Sequence, residues 1–213
     1  NWELEPLSEA QQPPPAPRWS QQEAVERALA QRVQLSLAQK RAEQAGLGLD
    51  LAQSGHLPDV NLIGSYLFTE GQGLNAPNQA FIGLFLAWNV FEWGATQKEV
   101  EAAQIRVSQA QMADEAIRQG VELEVRQAWL ELDSARKAWT VADSAVAQAQ
   151  EVYRTEKVRY DQGATTAVDL LSTQAALTQA RGARHITWYQ ALLASVNLCS
   201  AMGEPISAAS ILP

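Results

Sequence analysis

From Ala95 to Asp161 the chain contains no proline and one glycine, Gly120, so nothing there breaks a helix. Small and apolar residues recur by threes and fours: Val100, Ala103, Val107, Ala110, then Asp114 in register, Ile117 and Val121. After one four-residue skip the pattern resumes at Val125, Ala128, Leu132, Ala135, Trp139, Ala142, Val146, Ala149 and Tyr153. The skip is a stutter, which locally relaxes the left-handed supercoil of a heptad seam. At 1.5 Å per residue such a helix is roughly 100 Å long. No compact domain of 213 residues needs such a rod. Many seam positions are Ala, which lets helices approach closely while burying little area each, so the pattern suits a wide helical wall.

The flanks supply the rod's partners. Residues 1–19 read as a linker, because Pro13-Pro14-Pro15-Ala16-Pro17 favours extended geometry. Ser20-Gln21-Gln22-Glu23 is a capping box, and it predicts a helix over 20–54 with Val25, Leu29, Val33 and Leu37 on one stripe. Gly55 and Pro58 stop it. Beyond the rod, Gly163 is the natural left-handed residue after a helix end, and Thr165 or Thr166 can cap a returning helix over 166–201. The apolar positions of that helix include Val168, Leu171, Ile186, Tyr189, Leu193 and Val196. Gly203 and Pro205 end it, leaving 204–213 as a tail.

Between the first helix and the rod the period changes to two. Strands are predicted over 59–68 and 81–90, joined by a loop rich in Gly, Asn and Pro, which reads as an antiparallel hairpin. Val60, Leu62, Tyr66 and Phe68 form the more apolar face of the first strand, and Ile82, Leu84, Leu86 and Trp88 that of the second. A lone hairpin is marginal in water. This one has apolar faces and no other strand in the chain to cover them, so it requires other chains, a membrane, or both.

The remaining composition excludes more than it assigns. A net charge of −8 with no basic patch argues against nucleic acid. Cys199 is the only cysteine, so no internal disulfide forms, and in its apolar run it reads as a buried inert thiol. His56 and His185 are isolated from metal-ligand spacing, and no phosphate loop, elbow serine or paired-carboxylate context is present. No catalytic residue, metal or cofactor is expected. Trp129, Trp139 and Trp188 read as packing residues. No apolar run approaches the roughly 20 residues of a membrane helix. Asn1-Trp2-Glu3-Leu4-Glu5 offers no basic and apolar leader, as in a mature product or an excised fragment.

The order of linker, capped helix, apolar hairpin, rod, Gly turn and returning helix resembles the TolC family of outer-membrane efflux and secretion channels. The matching pieces are Leu57-Pro58-Asp59-Val60-Asn61-Leu62, Leu86-Ala87-Trp88-Asn89-Val90-Phe91-Glu92-Trp93-Gly94, and the stretch from Tyr160 through Gly163 to Asp169-Leu170-Leu171. The resemblance covers residues 20–203 and implies one repeat of two, the second, in the C-terminal half of a subunit. It implies a mainly α fold with a β-hairpin: long antiparallel coiled-coil helices, plus two strands contributing to a trimeric outer-membrane β-barrel and a periplasmic α-barrel.

What the resemblance implies for function is a passive exit duct of a tripartite efflux or type I secretion system, located in the bacterial outer membrane and extending into the periplasm. The implied partners are two further copies of the full-length chain in a homotrimer, a periplasmic adaptor (membrane fusion protein), an inner-membrane pump and outer-membrane lipid. Tyr160, Gly163, Thr165 and Asp169 map onto the periplasmic tip, where adaptor contact and gating are expected. The best-studied member carries Arg two residues after the turn glycine, where this chain has Thr165, so a closed state is expected to be held differently. Val60, Leu62, Tyr66, Phe68, Ile82, Leu84, Leu86 and Trp88 are expected to face lipid. Tyr66, Phe68, Trp88 and Trp93 lie near strand ends, as in an interfacial aromatic girdle. The rival reading is a soluble periplasmic coiled-coil adaptor or interaction protein, which would flank its helical hairpin with β segments on both sides.

Overall fold

A computed structural model of the chain describes residues 13, 14, 16–68 and 78–204. Most of the expected linker and tail, the Gly-rich part of the hairpin loop and the stop signal Pro205 lie outside the described residues. The element order is α1 (Gln21–Gln31), α2 (Val33–Ser54), β1 (Asp59–Phe68), β2 (Asn78–Ala87), α3 (Ala95–Asp161) and α4 (Ala167–Met202). The chain divides into two compact units, Ser36–Glu115 and the combination of Asn1–Leu35 with Ala116–Pro213.

In the second of these units α3 packs against α1 and α4. Its core gathers Ala24, Val25 and Ala28 of α1, Val121, Val125, Ala128 and Leu132 of α3, and Ala194, Leu198, Cys199, Ala201 and Met202 of α4. Further along, Trp139 and Trp188 bury each other with Leu192 alongside, and Arg184 Nη1 donates to Asp143 Oδ1 at 3.1 Å. The heptad reading of α3 holds through the stutter. Every position from Val100 to Tyr153 assigned to the seam is buried or half-buried. The Cys199 thiol is buried in this core, and burial raises its pKa above the usual thiol range.

Two expectations need correction, and a third observation concerns α4. The helix expected over 20–54 is two helices. Ser20 caps α1 through the predicted capping box, but Arg32 leaves the helical region at φ −70, ψ 121. Nothing in Gln31-Arg32-Val33 breaks a helix by propensity. The cause is tertiary: the Arg32 guanidinium makes a two-pronged pair with Glu124 of α3, and its backbone lies against Gly203. Beyond the break Leu35 and Ala38 are buried, in heptad register with Ala28 and Ala24, while Val33 and Leu37 of the expected stripe are exposed.

The apolar positions named on α4 divide between its faces, with Val196 half-buried. Val168, Leu171, Ile186, Tyr189 and Leu193 are exposed, and the inward face is Leu177, Trp188, Ala191, Ala194 and Leu198. Finally, β2 runs over 78–87 rather than 81–90. Asn78, Gln79 and Ala80 pair with Phe68, Leu67 and Tyr66, and the strand stops where the Trp88 indole donates to the His56 carbonyl at 3.3 Å. Alternation continues through Val90, which is why the pattern alone overshoots.

The segment 16–19 is more than a spacer. Trp19 packs against the α1–α3–α4 core, its ring carries the Arg27 guanidinium at 4.6 Å, and its carbonyl accepts the Trp129 indole N–H at 3.2 Å.

The assignment of faces predicts opposite outcomes for two leucines. Leu132→Ala should lower the unfolding free energy by about 2–5 kcal/mol, because it opens a cavity in a filled core. Leu193→Ala should change it by less than about 0.5 kcal/mol in dilute chain, where that side chain is exposed. Urea unfolding followed by far-UV circular dichroism measures both.

Candidate functional sites: an apolar hairpin and a helical tip

The hairpin register settles which side chains share a face. Val60 lies opposite Leu86, Leu62 opposite Leu84, Gly64 opposite Ile82, and Tyr66 opposite Ala80. Directly opposed residues of an antiparallel pair point to the same side. Val60, Leu62, Tyr66, Phe68, Ile82, Leu84 and Leu86 therefore form one continuous apolar face, and Trp88 follows just past the strand end. All eight are exposed, Ile82 at 80%. The opposite face mixes Asp59, Asn61, Ser65 and Gln79 with Ile63, Leu67, Phe81 and Phe85. On it the rings of Phe81 and Phe85 close over Gly83, where a Cβ would stand 2.5 Å from Phe81 Cζ. Across the whole Ser36–Glu115 unit, the buried apolar residues among those described are Ala38 and Ala103. Each strand has ten residues, the length that crosses a bilayer when tilted in a barrel.

The turn between α3 and α4 is built from backbone first. Gly163 sits at φ 69; its N–H donates to the Tyr160 carbonyl at 2.9 Å, and the Ala164 N–H donates to the Arg159 carbonyl at 2.8 Å. These two bonds are a Schellman closure, which satisfies the last carbonyls of the helix and requires the left-handed residue. Thr166 then caps α4. The Asp169 N–H donates to Thr166 Oγ1 at 3.2 Å, and Asp169 Oδ2 accepts from the Thr166 hydroxyl at 2.6 Å, the Thr166 N–H at 3.3 Å and the Thr165 hydroxyl at 3.1 Å.

The structure thus brings Thr165 and Asp169 together around Thr166, places Gly163 at the reversal, and admits Tyr160 through its carbonyl, with its ring exposed. Sequence reasoning offered Thr165 or Thr166 as the cap of α4 without joining it to Asp169. Thr166 was legible, since Thr-x-x-Asp opening a helix is the same capping signature as Ser20-x-x-Glu23.

The Asp169 carboxyl lies below the usual range, held there by the Thr166 hydroxyl and then by the Thr166 N–H and Thr165 hydroxyl, with Arg159 adding attraction. A depressed folded-state value stabilises fully above the unfolded value of about 3.9 and loses that contribution as pH falls through the folded value. Acidification below about pH 4 should therefore loosen the start of α4, and Asp169→Asn should abolish that acid step. An NMR titration of the Thr166 and Asp169 amides reads it. Thr166→Ala should cost about 1 kcal/mol of helix stability at neutral pH.

Among the described residues no group of His, Cys, Asp and Glu could hold a metal ion. No described helix is long and apolar enough to cross a membrane. The sequence profile of the outer membrane efflux protein family matches residues 24–204. Among curated proteins the chain is similar to outer membrane protein TolC of Vibrio cholerae serotype O1, 26% identical over 86% of this chain and 44% of that protein. It is also similar to protein CyaE of Bordetella pertussis, 29% identical over 79% of this chain and 37% of that protein. The fold is similar to the open state of the Neisseria gonorrhoeae MtrE outer membrane channel, with a TM-score of 0.75 and 20% identity over 89% of this chain and 43% of that one. The chain spans less than half the length of each of these relatives.

Proposed function

The chain belongs to the outer membrane efflux protein family, and on that premise we propose that it is one repeat of an exit duct whose hairpin joins a β-barrel in lipid. The observation that carries this reading is the exposed apolar face from Val60 to Phe68 and Ile82 to Leu86. Water does not favour such a face, and two strands leave two unpaired edges that a bilayer cannot satisfy. Further strands from other repeats satisfy both requirements at once. Three chains of two repeats each would supply twelve strands.

The helices make a parallel demand. On α4 the exposed Val168, Leu171, Ile186, Tyr189 and Leu193 continue, through Ala175, Thr178 and Gly182, in steps of three and four. That is a second seam beside the one packed on α3, and a second seam takes a second helix. A closed helical wall meets this demand, with each helix touching a neighbour on either side. The duct reading gives the Gly163 turn a role as docking point for a periplasmic adaptor coupled to an inner-membrane pump, with Tyr160, Thr165 and Asp169 around it. A soluble adaptor has no use for the apolar hairpin face, and it would stay in solution without detergent.

Two substitutions test the reading in cells that make the complete protein. Leu84→Arg, placed near the bilayer midplane, should cost on the order of 2–4 kcal/mol of barrel stability. Outer-membrane trimer, measured by heat-modifiable electrophoresis, should fall accordingly; normal trimer yield would overturn the lipid assignment. Gly163→Val has free space around its Cβ, so its effect is confined to the strained backbone at φ 69. Trimer should persist while accumulated dye rises, and unchanged efflux with normal trimer would reduce the turn to a connector.

A further inference from the structure

Phe81 and Phe85 stand on the mixed face of the hairpin, four residues apart on β2. At about 3.3 Å per residue their backbones are about 13 Å apart, yet the ring centroids lie 6.3 Å from each other. The rings lean together over Gly83, and they can do so because that residue has no side chain. A Cβ there would stand 2.5 Å from Phe81 Cζ and 3.1 Å from Phe85 Cε2. Ile63, directly opposite Gly83, lies on the same face. The result is one aromatic plate in place of two separate side chains. The chain does not bury it: Phe81 is 51% exposed and Phe85 49%.

Polar residues border the plate. Asn61 lies opposite Phe85, and Ser65 opposite Phe81. Asp59, paired with Ala87, is a diagonal neighbour of Phe85, at the roughly 7–8 Å of such pairs. It is the only charged residue of the two strands. With the other face turned to lipid, this one lines the water-filled interior of the barrel, where side chains are ordinarily polar. An apolar plate kept open to water gains whenever an apolar surface covers it. The ring faces carry the negative side of the aromatic quadrupole, and the Asp59 carboxylate adds negative charge beside them. No cation on either strand offsets it. The surface is thus complementary to a molecule that is flat, apolar and positively charged. An anion of the same shape meets repulsion there.

We propose that the Phe81–Phe85 plate, with Asp59 at its edge, is a contact site for small aromatic cations on the inner wall of the barrel. The proposal deepens the duct reading and rests on it. Stacking and cation–π attraction supply the contact, and both are modest at an exposed site. A contact of that strength holds a passing cation briefly and lets it leave, as conduction requires.

The test records single channels of the complete protein in planar bilayers, with the cation benzyltriethylammonium or the anion benzenesulfonate added. It reads the concentration of each that halves the potassium chloride current. Wild type should be blocked at a lower concentration by the cation. Phe85→Leu keeps the apolar bulk and removes the ring. It should raise the half-blocking concentration of the cation roughly two- to fivefold and leave that of the anion unchanged. Phe85→Tyr keeps the ring and should block as wild type does. Asp59→Asn should raise the value for the cation and lower it for the anion; it carries the test at the edge of the plate should Phe85→Leu fail to assemble. Equal block of wild type by the two ions would overturn the inference and leave the duct intact. No change on Phe85→Leu, or an equal rise for both ions, would do the same. Absence of stepwise current from the wild-type protein would instead overturn the duct reading, and this inference with it.

Discussion

A helix as long as α3 holds its shape in water only when a stripe along it stays dry, and here much of that stripe is alanine. Each alanine excludes little water, so stability is spread thinly over many contacts and depends on close approach of the helix axes. The neighbours obey the same requirement. α1 presents Ala24, Val25 and Ala28 to it, and α4 presents Ala191, Ala194 and Ala201. Larger side chains enter where the spacing allows, as Leu132 and Met202 at one level and Trp139 with Trp188 at another. The break at Arg32 leaves the heptad count intact: Leu35 lies seven residues beyond Ala28 and Ala38 fourteen beyond Ala24, and all four are buried.

What the sequence disclosed and what it withheld follow a physical division. Period and punctuation are local, and they located the α3 seam with its stutter, the ten residues of β1, the Ser20 cap and the left-handed turn at Gly163. Features set by distant partners were invisible. The Arg32 break needs Glu124 and Gly203, both far away in sequence. The choice of inward face on α4 could not be read from hydrophobicity, because apolar residues stand on both faces. The polar start of β2 looked like loop until its pairing with Phe68 and Leu67 was seen. The Asp169 cap was local and legible, yet a functional residue drew attention away from the plainer bond beside it. A resemblance carried the candidate sites themselves, and the structure gave them their geometry.

The chain is incomplete in two chemically different ways. Among the described residues no third strand pairs with the hairpin and nothing covers its apolar face, the two needs that the proposed barrel would meet. α4 lacks nothing in its backbone, and needs only an apolar groove for Val168, Ile186 and Leu193. The first demand is directional and exacting in register, and the second is tolerant of sliding.

Cys199 has a practical bearing. It is the sole thiol of the chain, it is buried, and its environment disfavours the thiolate that reacts with alkylating reagents. A cysteine engineered on an exposed position can thus be labelled with a spin or fluorescent probe against a silent native background, with no need to alter the packed helix end around Leu198 and Met202. Few chains offer spectroscopy that convenience unmodified, and here it comes from the same close packing that holds the helices together.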